Sequence, residues 1–423
     1  MSEDEKLREL VKRQYRPRII DNRIQAMMAA FGGVLITGPK WCGKSWTGIH
    51  HTSSSLLLGA GTINKYATLS PEEALTGEYP RLVDEWQDIP DLWDYARRRI
   101  DWESRKGMYL FTGSSFPSKD THHTGTGRFA RVKMRPMSLF ESGDSNGSVS
   151  LSRLFTEPIS KPIRSEMDYK ESVRLICRGG WPSTVGASDE IALEVPFEYI
   201  RSVISTDLSA LTGTRKDPDL TERILRSLAR NSASTVKLTT LTSDVSDDNK
   251  PVSEQTVRTY LDSLKQIFLL EEQCAWVPSL RSRTRLRTSP KVHFTDPSLA
   301  VAALRASPGM LIKDPNTAGL LFGSLCYRDL CVYASAMKSK VYYYRESNGL
   351  EIDNIIEMPD GSWGAMEVKL GWFEIDKAAK NLLSLNEKVK TKASFLAVIT
   401  ASGNLAYTRE DGVSVIPIDL LGP

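Results

Sequence analysis

Apolar side chains in the first part of the chain form two kinds of pattern, helical spacing and short continuous runs. Residues Ile19–Phe31 carry apolar side chains at helical spacing and end at two glycines, which predicts a helix. The runs Val34–Ile36, Arg81–Val83 and Gly107–Thr112 predict buried strands, and Ile89–Trp102 predicts a helix between the last two. Strands that alternate with helices in this way predict an α/β fold.

The patterns that follow divide the chain. The polar stretch Pro117–Gly127 predicts a mobile loop, and Ser142–Ser152 is rich in serine, glycine and aspartate, which predicts a linker or a surface insertion. From Tyr169 to about Leu211 the pattern is helical, with an interruption at Gly179–Pro182. We interpret this part as a helical lid behind an α/β core.

The next stretch predicts three short helices followed by a strand pair. Leu220–Arg230 and Leu238–Val245 are amphipathic, Ser253 caps a third helix, and Phe268–Cys274 predicts a strand. This order is typical of a winged helix-turn-helix. The exposed face of the third helix has mixed charge, which favours a structural or protein-contact module over a DNA-reading helix; its residues are Glu254, Gln255, Arg258 and Asp262.

Arginines recur at every second position from Arg281 to Arg287. In an extended chain these side chains point to one face. Such a row suits contact with a phosphate backbone. The alternative is a solvated edge strand that its charge protects from further pairing.

Acids and a lysine alternate along the strands predicted near the C-terminal end, which cover Val341–Arg345, Leu350–Met358 and Trp363–Lys369. Because side chains two residues apart share a face, Glu367 and Lys369 lie together, and the hairpin brings Asp353 to the same point. Two carboxylates can hold a Mg²⁺ ion that activates water, while a lysine positions the nucleophile or stabilises charge. This is the Asp…Glu-x-Lys arrangement of metal-dependent nucleases.

Composition narrows the classes of function. A length of 423 residues predicts two to four domains, and a net charge of +3 means that any nucleic-acid site must be local. The cysteines are scattered and are expected to be reduced, and the adjacent His50 and His51 are interpreted as polar surface. No apolar run is long enough to span a membrane, and Met1–Arg18 does not have the pattern of a signal peptide, so we expect a cytoplasmic protein.

A phosphate-binding loop of the form Gly-x4-Gly-Lys-Ser follows the first predicted strand. Glycines let backbone N–H groups surround phosphate oxygens, and the helix that begins behind the loop adds positive potential. Lys44 is expected to reach the β- and γ-phosphates, and the Ser45 hydroxyl to bind Mg²⁺. The residues expected to bind ATP are Gly38, Pro39, Lys40, Trp41, Cys42, Gly43, Lys44 and Ser45.

An acid pair and a polar strand tip complete the predicted site. Asp84 follows an apolar stretch and is the candidate ligand of Mg²⁺, whereas Glu85 is the candidate that polarises the attacking water. Thr112 or Ser114 lies at the tip of the next strand and is expected to sense the γ-phosphate. Loop, acid pair and polar tip occur in the order of an additional-strand ATPase core.

The whole chain resembles a family of prokaryotic ATPases that join an AAA-type ATPase domain, a winged helix and a C-terminal domain similar to the PD-(D/E)XK nucleases. The stretches that carry the resemblance are Gly38–Ser45, Val83–Gln87, Leu110–Ser115, Gly127–Arg128, Pro136–Glu141, Gly179–Pro182, Lys291–Pro297, Tyr344–Asp353 and Glu367–Lys369. The resemblance implies ATP binding and hydrolysis, and it makes Arg128 a candidate arginine finger that contacts the γ-phosphate in trans or in cis.

One departure from the family pattern concerns the nuclease-like domain. Members commonly carry an acid in the helix that opens this domain, where the present chain has Leu321-Phe322-Gly323. The resemblance therefore implies that the fold persists while a supporting metal ligand is missing. Such a fold can also serve as a nucleic-acid or protein-binding module.

Together these patterns predict an AAA-type core over residues 1–150, a helical lid over 151–215, a winged helix over 216–290 and a nuclease-like domain over 291–423. The leading hypothesis is an ATPase that uses ATP and Mg²⁺ to drive conformational change and acts on double-stranded DNA. An ATP-linked nuclease is the second hypothesis, and a nucleotide-switched protein scaffold is the third. A protein partner and an oligomer are compatible with each, and no membrane partner is expected.

Overall fold

The computed structural model describes residues 3–59, 61–114, 125–246, 251–278, 289–346 and 349–423. They belong to two compact units: the first comprises Met1–Pro136 with Gln266–Phe268, and the second comprises Met137–Lys265 with Leu269–Pro423. The first unit thus ends 14 residues before the predicted boundary at residue 150, since 150 − 136 = 14. The arginine row Arg281–Arg287 and most of the loop predicted at Pro117–Gly127 lie outside the described residues.

The first unit contains a five-stranded sheet. Its strands are β1 (Gly33–Thr37), β2 (Ser54–Leu57), β3 (Arg81–Asp84), β4 (Tyr109–Gly113) and β5 (Phe129–Lys133). Its helices are α1 (Glu3–Gln14), α2 (Asp21–Ala30), α3 (Lys44–His50), α4 (Gly61–Leu69), α5 (Pro71–Ala74) and α6 (Asp91–Glu103). The strands and helices predicted for this part are therefore present, and β2 was not predicted.

The strand order is β2-β3-β4-β1-β5, and every neighbouring pair is parallel. The carboxyl ends of parallel strands meet at one edge of a sheet. Because β4 lies between β1 and β3, the loop after β1 and the acids at the end of β3 flank the tip of β4. This is the additional-strand arrangement predicted from the order of the motifs.

Both faces of the central strands β1 and β4 are buried, which explains why these two strands are continuous apolar runs. On one face Leu35, Val83 and Phe111 pack with the indole rings of Trp86 and Trp93. The opposite face is covered by the N-terminal helices, and its cluster includes Ile24, Val34, Ile36, Leu82 and Leu110.

The second unit contains a seven-stranded sheet and two short strand pairs. Its strands are β6 (Val149–Ser150), β7 (Ile163–Arg164), β8 (Leu270–Gln273), β9 (Lys291–Phe294), β10 (Lys340–Arg345), β11 (Glu351–Glu357), β12 (Trp363–Lys369), β13 (Phe395–Thr400), β14 (Leu405–Thr408), β15 (Ser414–Pro417) and β16 (Leu421–Gly422). Its helices are α7 (Leu139–Ser142), α8 (Leu151–Leu154), α9 (Tyr169–Arg178), α10 (Asp189–Ser202), α11 (Leu208–Thr212), α12 (Pro218–Arg230), α13 (Leu238–Val245), α14 (Glu254–Gln266), α15 (Pro297–Ala303), α16 (Pro308–Lys313), α17 (Pro315–Ala336) and α18 (Ile375–Lys388).

The large sheet has the order β10-β11-β12-β13-β15-β14-β7. Strands β10, β11 and β12 form the predicted antiparallel meander, and β12, β13 and β15 are parallel. The predicted helices α9, α12, α13 and α14 are present, and β8 pairs with β9 in an antiparallel manner. Helices and strand pair occur in the predicted order, but β9 lies beyond residue 290, where the predicted winged helix ends.

The interpretation of Ser142–Ser152 as a linker or surface insertion is wrong. Ser142, Ser145 and Val149 are buried. The reason is that β6 forms a parallel pair with β16, and the Ser145 hydroxyl donates to the Leu421 carbonyl at 2.7 Å. Small polar side chains suit this position because they satisfy backbone groups inside the unit.

A buried cluster of charges holds several segments of the second unit together. The Arg328 guanidinium lies 2.8 Å from Asp296 and 2.7 Å from Asp329, and all three side chains are almost completely buried. Asp296 also accepts from the Gly180 N–H and Asp329 from the Leu139 N–H, both at 2.9 Å. The cluster thus joins α7, α15, α17 and the glycine pair after α9.

Candidate functional site

The loop Gly38–Ser45 leaves the carboxyl end of β1 and leads directly into α3. A Cβ atom at Gly38 would lie 2.2 Å from the Met134 carbonyl oxygen, and Gly43 has a left-handed φ of 100°, so both positions require glycine. Within the loop, the Cys42 side chain is buried, whereas those of Lys40 and Trp41 are exposed.

Lys44 is buried, with 4% of its surface exposed. Its ammonium donates to the Pro39 carbonyl at 2.8 Å and forms no ion pair with a carboxylate among the described residues. A buried cation is unfavourable unless anionic groups lie near it, and the Asp84 carboxylate is close enough to interact with Lys44 electrostatically. The loop therefore presents a positive charge that a phosphate group can neutralise.

Arg18 anchors this loop from a distant part of the sequence, and the sequence analysis did not identify it. Its buried guanidinium donates to the Cys42 carbonyl and to the Arg135 carbonyl, each at 2.8 Å. Arg18 precedes Cys42 by 24 residues and lies outside the loop motif, so no local pattern reveals the contact.

The acid predicted to bind Mg²⁺ lies directly against the loop. Asp84 is the last residue of β3, and its carboxylate accepts hydrogen bonds from the hydroxyl groups of Ser45 and Thr112. Burial raises the pKa of Asp84, and these two hydrogen bonds oppose the shift. Ser45 and Asp84 together form an oxygen donor set of the kind that Mg²⁺ prefers.

The neighbouring Glu85 occupies a separate position. It has a left-handed φ of 53°, which turns its side chain away from that of Asp84. Its carboxylate accepts from the Ser114 hydroxyl at 2.9 Å and from the Gln87 side-chain amide, while its backbone N–H donates to Thr112 at 3.3 Å. Thr112 and Ser114, offered as alternatives from the sequence, thus contact different acids.

Arg128 lies at the amino-terminal ends of the strands, whereas the phosphate-binding loop lies at their carboxyl ends. It immediately precedes β5, and its carbonyl accepts from the N–H of Gly33, the first residue of β1. The five residues of β1 span about 16 Å at roughly 3.3 Å per residue. The guanidinium contacts Asp101 at 2.7 Å. The structure therefore contradicts contact with a γ-phosphate in cis, because the loop begins where β1 ends.

The interpretation of His50 and His51 as polar surface is wrong for His51. Its imidazole is buried and lies 3.0 Å from the Asp21 carboxylate, which also accepts from the Tyr15 hydroxyl at 2.7 Å. Tyr15 in turn contacts Thr47 of α3 at 3.1 Å. The reason for the burial is that α1 and α2 pack over this helix.

The second predicted site is assembled in the second unit as the hairpin geometry required. The Lys369 ammonium lies 2.9 Å from Glu367 and 3.9 Å from Asp353. Asp353 also accepts from the Val368 N–H at 3.0 Å. Asn381 of α18 donates to Glu367 at 3.2 Å. We call Asp353, Glu367, Lys369 and Lys291 the acid–lysine cluster.

Lys291 is the member of this cluster that the sequence analysis missed. It is buried on β9, and its ammonium lies 2.7 Å from Glu351 and 3.4 Å from Asp353. The Asp…Glu-x-Lys pattern has no place for it. A second ammonium beside Asp353 competes with any metal ion for that carboxylate.

The charges in the acid–lysine cluster shift the pKa values of its two acids in opposite directions. Burial, together with the neighbouring Asp353 carboxylate, raises the pKa of Glu367 to about 7. Burial also disfavours ionised Asp353, but Lys291 and Lys369 outweigh this effect and hold the pKa of Asp353 below its usual value. Near neutral pH, Asp353 is therefore ionised while Glu367 is partly protonated.

The position that carries an acid in the family pattern has free space around it. Gly323 lies on α17, and a Cβ atom there would meet only the Cβ of Ala233, at 3.7 Å, so a larger side chain has room to begin. His293 is close to the cluster in sequence, but burial lowers its pKa to about 3, and its ring nitrogens contact Ser324 and Gln273 at 3.1 and 3.0 Å. Across the described ranges, no three or more His, Cys, Asp or Glu side chains are grouped so that they could hold a metal ion.

The loop, the acids of β3 and the parallel strand order define the class of the first unit, a P-loop nucleotide-binding core of the α/β type. A family described as "AAA domain" matches residues 31–142. Two families described as "Domain of unknown function (DUF8612)" and "Domain of unknown function (DUF4143)" match residues 169–309 and 318–421. The first unit is accordingly an AAA-type ATPase core.

Comparison with whole proteins gives distant relatives. An uncharacterized protein of Mycobacterium tuberculosis is 23% identical over 403 residues, which are 91% of this chain and 80% of the relative. An uncharacterized protein of Haemophilus influenzae is 24% identical over 174 residues, which are 41% of this chain and 40% of the relative.

Solved structures also match at low similarity. The Walker-type ATPase PABY2304 of Pyrococcus abyssi has a TM-score of 0.39 at 13% identity and covers 67% of this chain and 94% of its own. AMPPCP-bound DnaA from Aquifex aeolicus has a TM-score of 0.27 at 11% identity, over 63% of this chain and 89% of its own. Among the described residues, no helix is both long enough and apolar enough to cross a membrane.

Proposed function

We propose that the protein binds ATP with Mg²⁺ at residues 38–45 and hydrolyses it. The observation that carries this proposal is the contact of the Ser45 hydroxyl with the Asp84 carboxylate beneath the loop. It joins the loop and the acid of β3 into one donor set for Mg²⁺. When bound, Mg²⁺ neutralises charge that develops on the phosphates.

The other side chains of the site divide the work between binding and water activation. Lys44 is a buried ammonium that forms no close ion pair with a carboxylate among the described residues, and it supplies the positive charge for the phosphates. Glu85 is the general base that takes a proton from the attacking water. Ser114 and Gln87 orient the Glu85 carboxylate.

We further propose that Arg128 acts in trans, which requires an oligomer. Its guanidinium is 44% exposed and lies at the edge of the sheet away from its own loop. An arginine at this edge can complete the site of a neighbouring subunit and stabilise transition-state charge. To reach a neighbouring site, Arg128 must leave its ion pair with Asp101. That pair is exposed, so breaking it costs little free energy.

The test of the proposal is ATP turnover with Mg²⁺, measured in the parent and in Lys44→Ala with and without double-stranded DNA. Losing a charge-assisted contact should weaken nucleotide binding by about 2–3 kcal/mol. We expect Lys44→Ala to lose turnover, and Lys65→Ala, which changes an exposed lysine of α4 outside the loop, to retain it. Parent-like binding and turnover in Lys44→Ala would remove the loop assignment.

A second candidate function is favoured by the acid–lysine cluster. Its Asp353, Glu367 and Lys369 have the disposition of a metal-dependent nuclease site, which supports an ATP-linked nuclease. We propose instead that residues 291–423 keep the nuclease-like fold with little cleavage. Lys291 competes for Asp353, Glu367 is partly protonated near neutral pH, and Gly323 supplies no ligand.

Plasmid nicking in Mg²⁺ and Mn²⁺ separates these alternatives. We expect little or no cutting by the parent at neutral pH. Robust cutting that Glu367→Ala abolishes would instead establish the nuclease. Gly323→Glu restores the missing carboxylate, and a gain of metal-dependent cutting in this variant would show that the ligand set alone limits the reaction.

The helices of residues 151–215 and 216–290 are proposed to act as lid and winged helix of this ATPase. Helix α14 exposes Glu254, Gln255, Arg258 and Asp262, a mixed-charge face that suits contact with a protein better than DNA reading. A nucleotide-switched scaffold with a protein partner therefore remains the third hypothesis. Turnover that DNA does not change would favour it.

A further inference from the structure

An exposed aromatic pair stands at the start of α18 in the second unit. After β12 the chain makes a short turn, Trp372–Glu374, and then enters the helix. Trp372 is 68% exposed and Phe373 is 81% exposed. Their rings stack with centroids 3.8 Å apart and an interplanar angle of 26°. Two large aromatic side chains that lie together in water form an apolar surface suited to a partner.

Two lysines and two acids lie beside this pair, on α18 or directly before it. Lys377 and Lys380 are exposed on α18, one and two turns beyond Phe373 on the same helix face, and neither forms an ion pair among the described residues. Of the acids at the start of the helix, Asp376 pairs with Arg409 at 2.7 Å, whereas Glu374 is exposed. The aromatic rings and the two lysines therefore form one continuous surface.

This surface is connected to the acid–lysine cluster. Lys369 ends β12 just before the aromatic turn, and Asn381 of α18 donates to the Glu367 carboxylate at 3.2 Å. A molecule bound along α18 therefore contacts the same helix whose Asn381 contacts the acid–lysine cluster.

We propose that Trp372, Phe373, Lys377 and Lys380 bind single-stranded nucleic acid. An unpaired base stacks on the outer face of the aromatic pair, and the lysines contact neighbouring phosphates; stacking on aromatic rings combined with basic side chains is the common way to hold a single strand. A duplex keeps its base faces covered, so it cannot use the rings. The charge of the lysines favours this polyanion over an apolar protein surface.

The proposal goes beyond ATP hydrolysis and needs no nucleotide, so the two can fail separately. The experiment measures fluorescence anisotropy of labelled oligothymidine, without ATP and with a chelator to prevent cleavage. Binding by the full chain should weaken about tenfold or more in Trp372→Ala/Phe373→Ala, because each stacked base contributes about 1–3 kcal/mol. Trp372→Phe should retain most of the affinity, because a ring remains.

Two further variants sharpen the result. Lys377→Ala/Lys380→Ala should reduce the log–log salt slope by up to about 1.4, since each phosphate contact to a single strand contributes about 0.7. Trp102→Ala removes a tryptophan that is 90% exposed in the first unit and should leave binding unchanged. The aromatic side chains are exposed, so thermal unfolding of the variants should match that of the parent.

Several outcomes would overturn the proposal. They are the absence of binding to single strands, equal affinity for a duplex of matched sequence, and unchanged affinity in the aromatic double variant. A fourth is self-association of the parent, seen by analytical ultracentrifugation, that the double variant abolishes without a change in oligothymidine binding. That result would assign the pair to a contact between copies of the chain.

Discussion

Glu85 illustrates how one side chain can be placed for chemistry by its neighbours. Its carboxylate is held by the Ser114 hydroxyl at 2.9 Å and by the Gln87 amide. Both contacts orient the carboxylate, which is the group that accepts a proton from water. The geometry places this base beside the tip of β4, next to the loop.

We expect Glu85→Gln to bind ATP normally and to hydrolyse it about 10²–10⁴ times more slowly, because an amide cannot act as the base. Nucleotide binding is measured by calorimetry and turnover by phosphate release. Asp88→Asn is the matched control, since Asp88 is an exposed acid three residues away, and it should hydrolyse at the parent rate. A full rate in Glu85→Gln would place the base elsewhere.

Glu367 gives a prediction about pH and stability. Its pKa is raised from 4.5 to about 7 in the folded chain, so between these values the folded state binds more protons than the unfolded state. Stability should therefore fall as pH rises through this window and level off above it. Glu367→Gln removes the titration, and it should exceed the parent in unfolding free energy by up to about 3 kcal/mol at pH 8.

The measurement is urea unfolding of parent and Glu367→Gln at about pH 5 and pH 8, which bracket the titration. Parent and variant should differ less at the lower pH, because Glu367 is then protonated in the folded state. Glu387→Gln changes an exposed acid of α18 and should show no such pH dependence. A difference of equal size at both pH values would contradict the raised pKa.

Strands with a long apolar run and helices with a clear amphipathic pattern could be predicted from the sequence, and short edge strands could not. β1 and β4 are continuous apolar runs, because helices cover both sides of the sheet. β2, Ser54–Leu57, is a half-exposed edge strand that begins with two serines, and its short apolar run, Leu56–Leu58, was not recognised. The short β6 was missed for a different reason, since its partner β16 lies at the other end of the unit.

The residues of the candidate sites differ in whether a local sequence motif contains them. Gly38–Ser45, Asp84 and Glu85 could be predicted because local motifs record their chemistry. Arg18 and Lys291 reach their sites from distant segments, and neither belongs to the motif that defines its site. Arg18 does so through two backbone carbonyls, and Lys291 through two carboxylates. Parallel strand order, which only the structure shows, removed the cis role of Arg128.

Arg18 is expected to hold the whole phosphate-binding loop in place. Its hydrogen bonds to the Cys42 and Arg135 carbonyls hold the loop through the backbone. Arg18→Ala leaves these buried carbonyls without a donor and should reduce stability by about 1–3 kcal/mol. The Michaelis constant for ATP should rise more than the turnover number falls, because Arg18 positions the loop and does not react.

Steady-state kinetics and thermal unfolding measure these two effects. Lys12→Ala, an exposed change in α1, is the control that should leave both unchanged. If Arg18→Ala kept the parent Michaelis constant, the loop would be rigid without its anchor.

On the scale of the molecule, the second unit depends on a few contacts between distant segments. The Asp296–Arg328–Asp329 cluster joins residues 190 positions apart, as in the hydrogen bond from Leu139 to Asp329. It also unites stretches that the family resemblance singled out, namely Pro136–Glu141, Gly179–Pro182 and Lys291–Pro297. These stretches therefore need no catalytic role to explain their chemistry.

We expect Arg328→Ala to reduce the unfolding free energy by about 3–5 kcal/mol, because it leaves two buried carboxylates without their cation. Arg345→Ala removes a half-exposed arginine of the same unit, 4.0 Å from Glu351, and should cost about 1 kcal/mol or less. Chemical denaturation followed by circular dichroism compares the two. A loss below about 1 kcal/mol in Arg328→Ala would show that the buried charges are individually replaceable.

The pairing of β6 with β16 has a consequence for how the protein is made. The partners Ser145 and Leu421 are 276 residues apart, so at about 5–20 residues per second the ribosome needs roughly 15–55 s to supply the second after the first. All strands of the first unit's sheet, by contrast, have been synthesised once Lys133 has left the ribosome. A nascent chain therefore carries a complete nucleotide-binding sheet well before its second unit can close, and this interval is when chaperones would have most to protect.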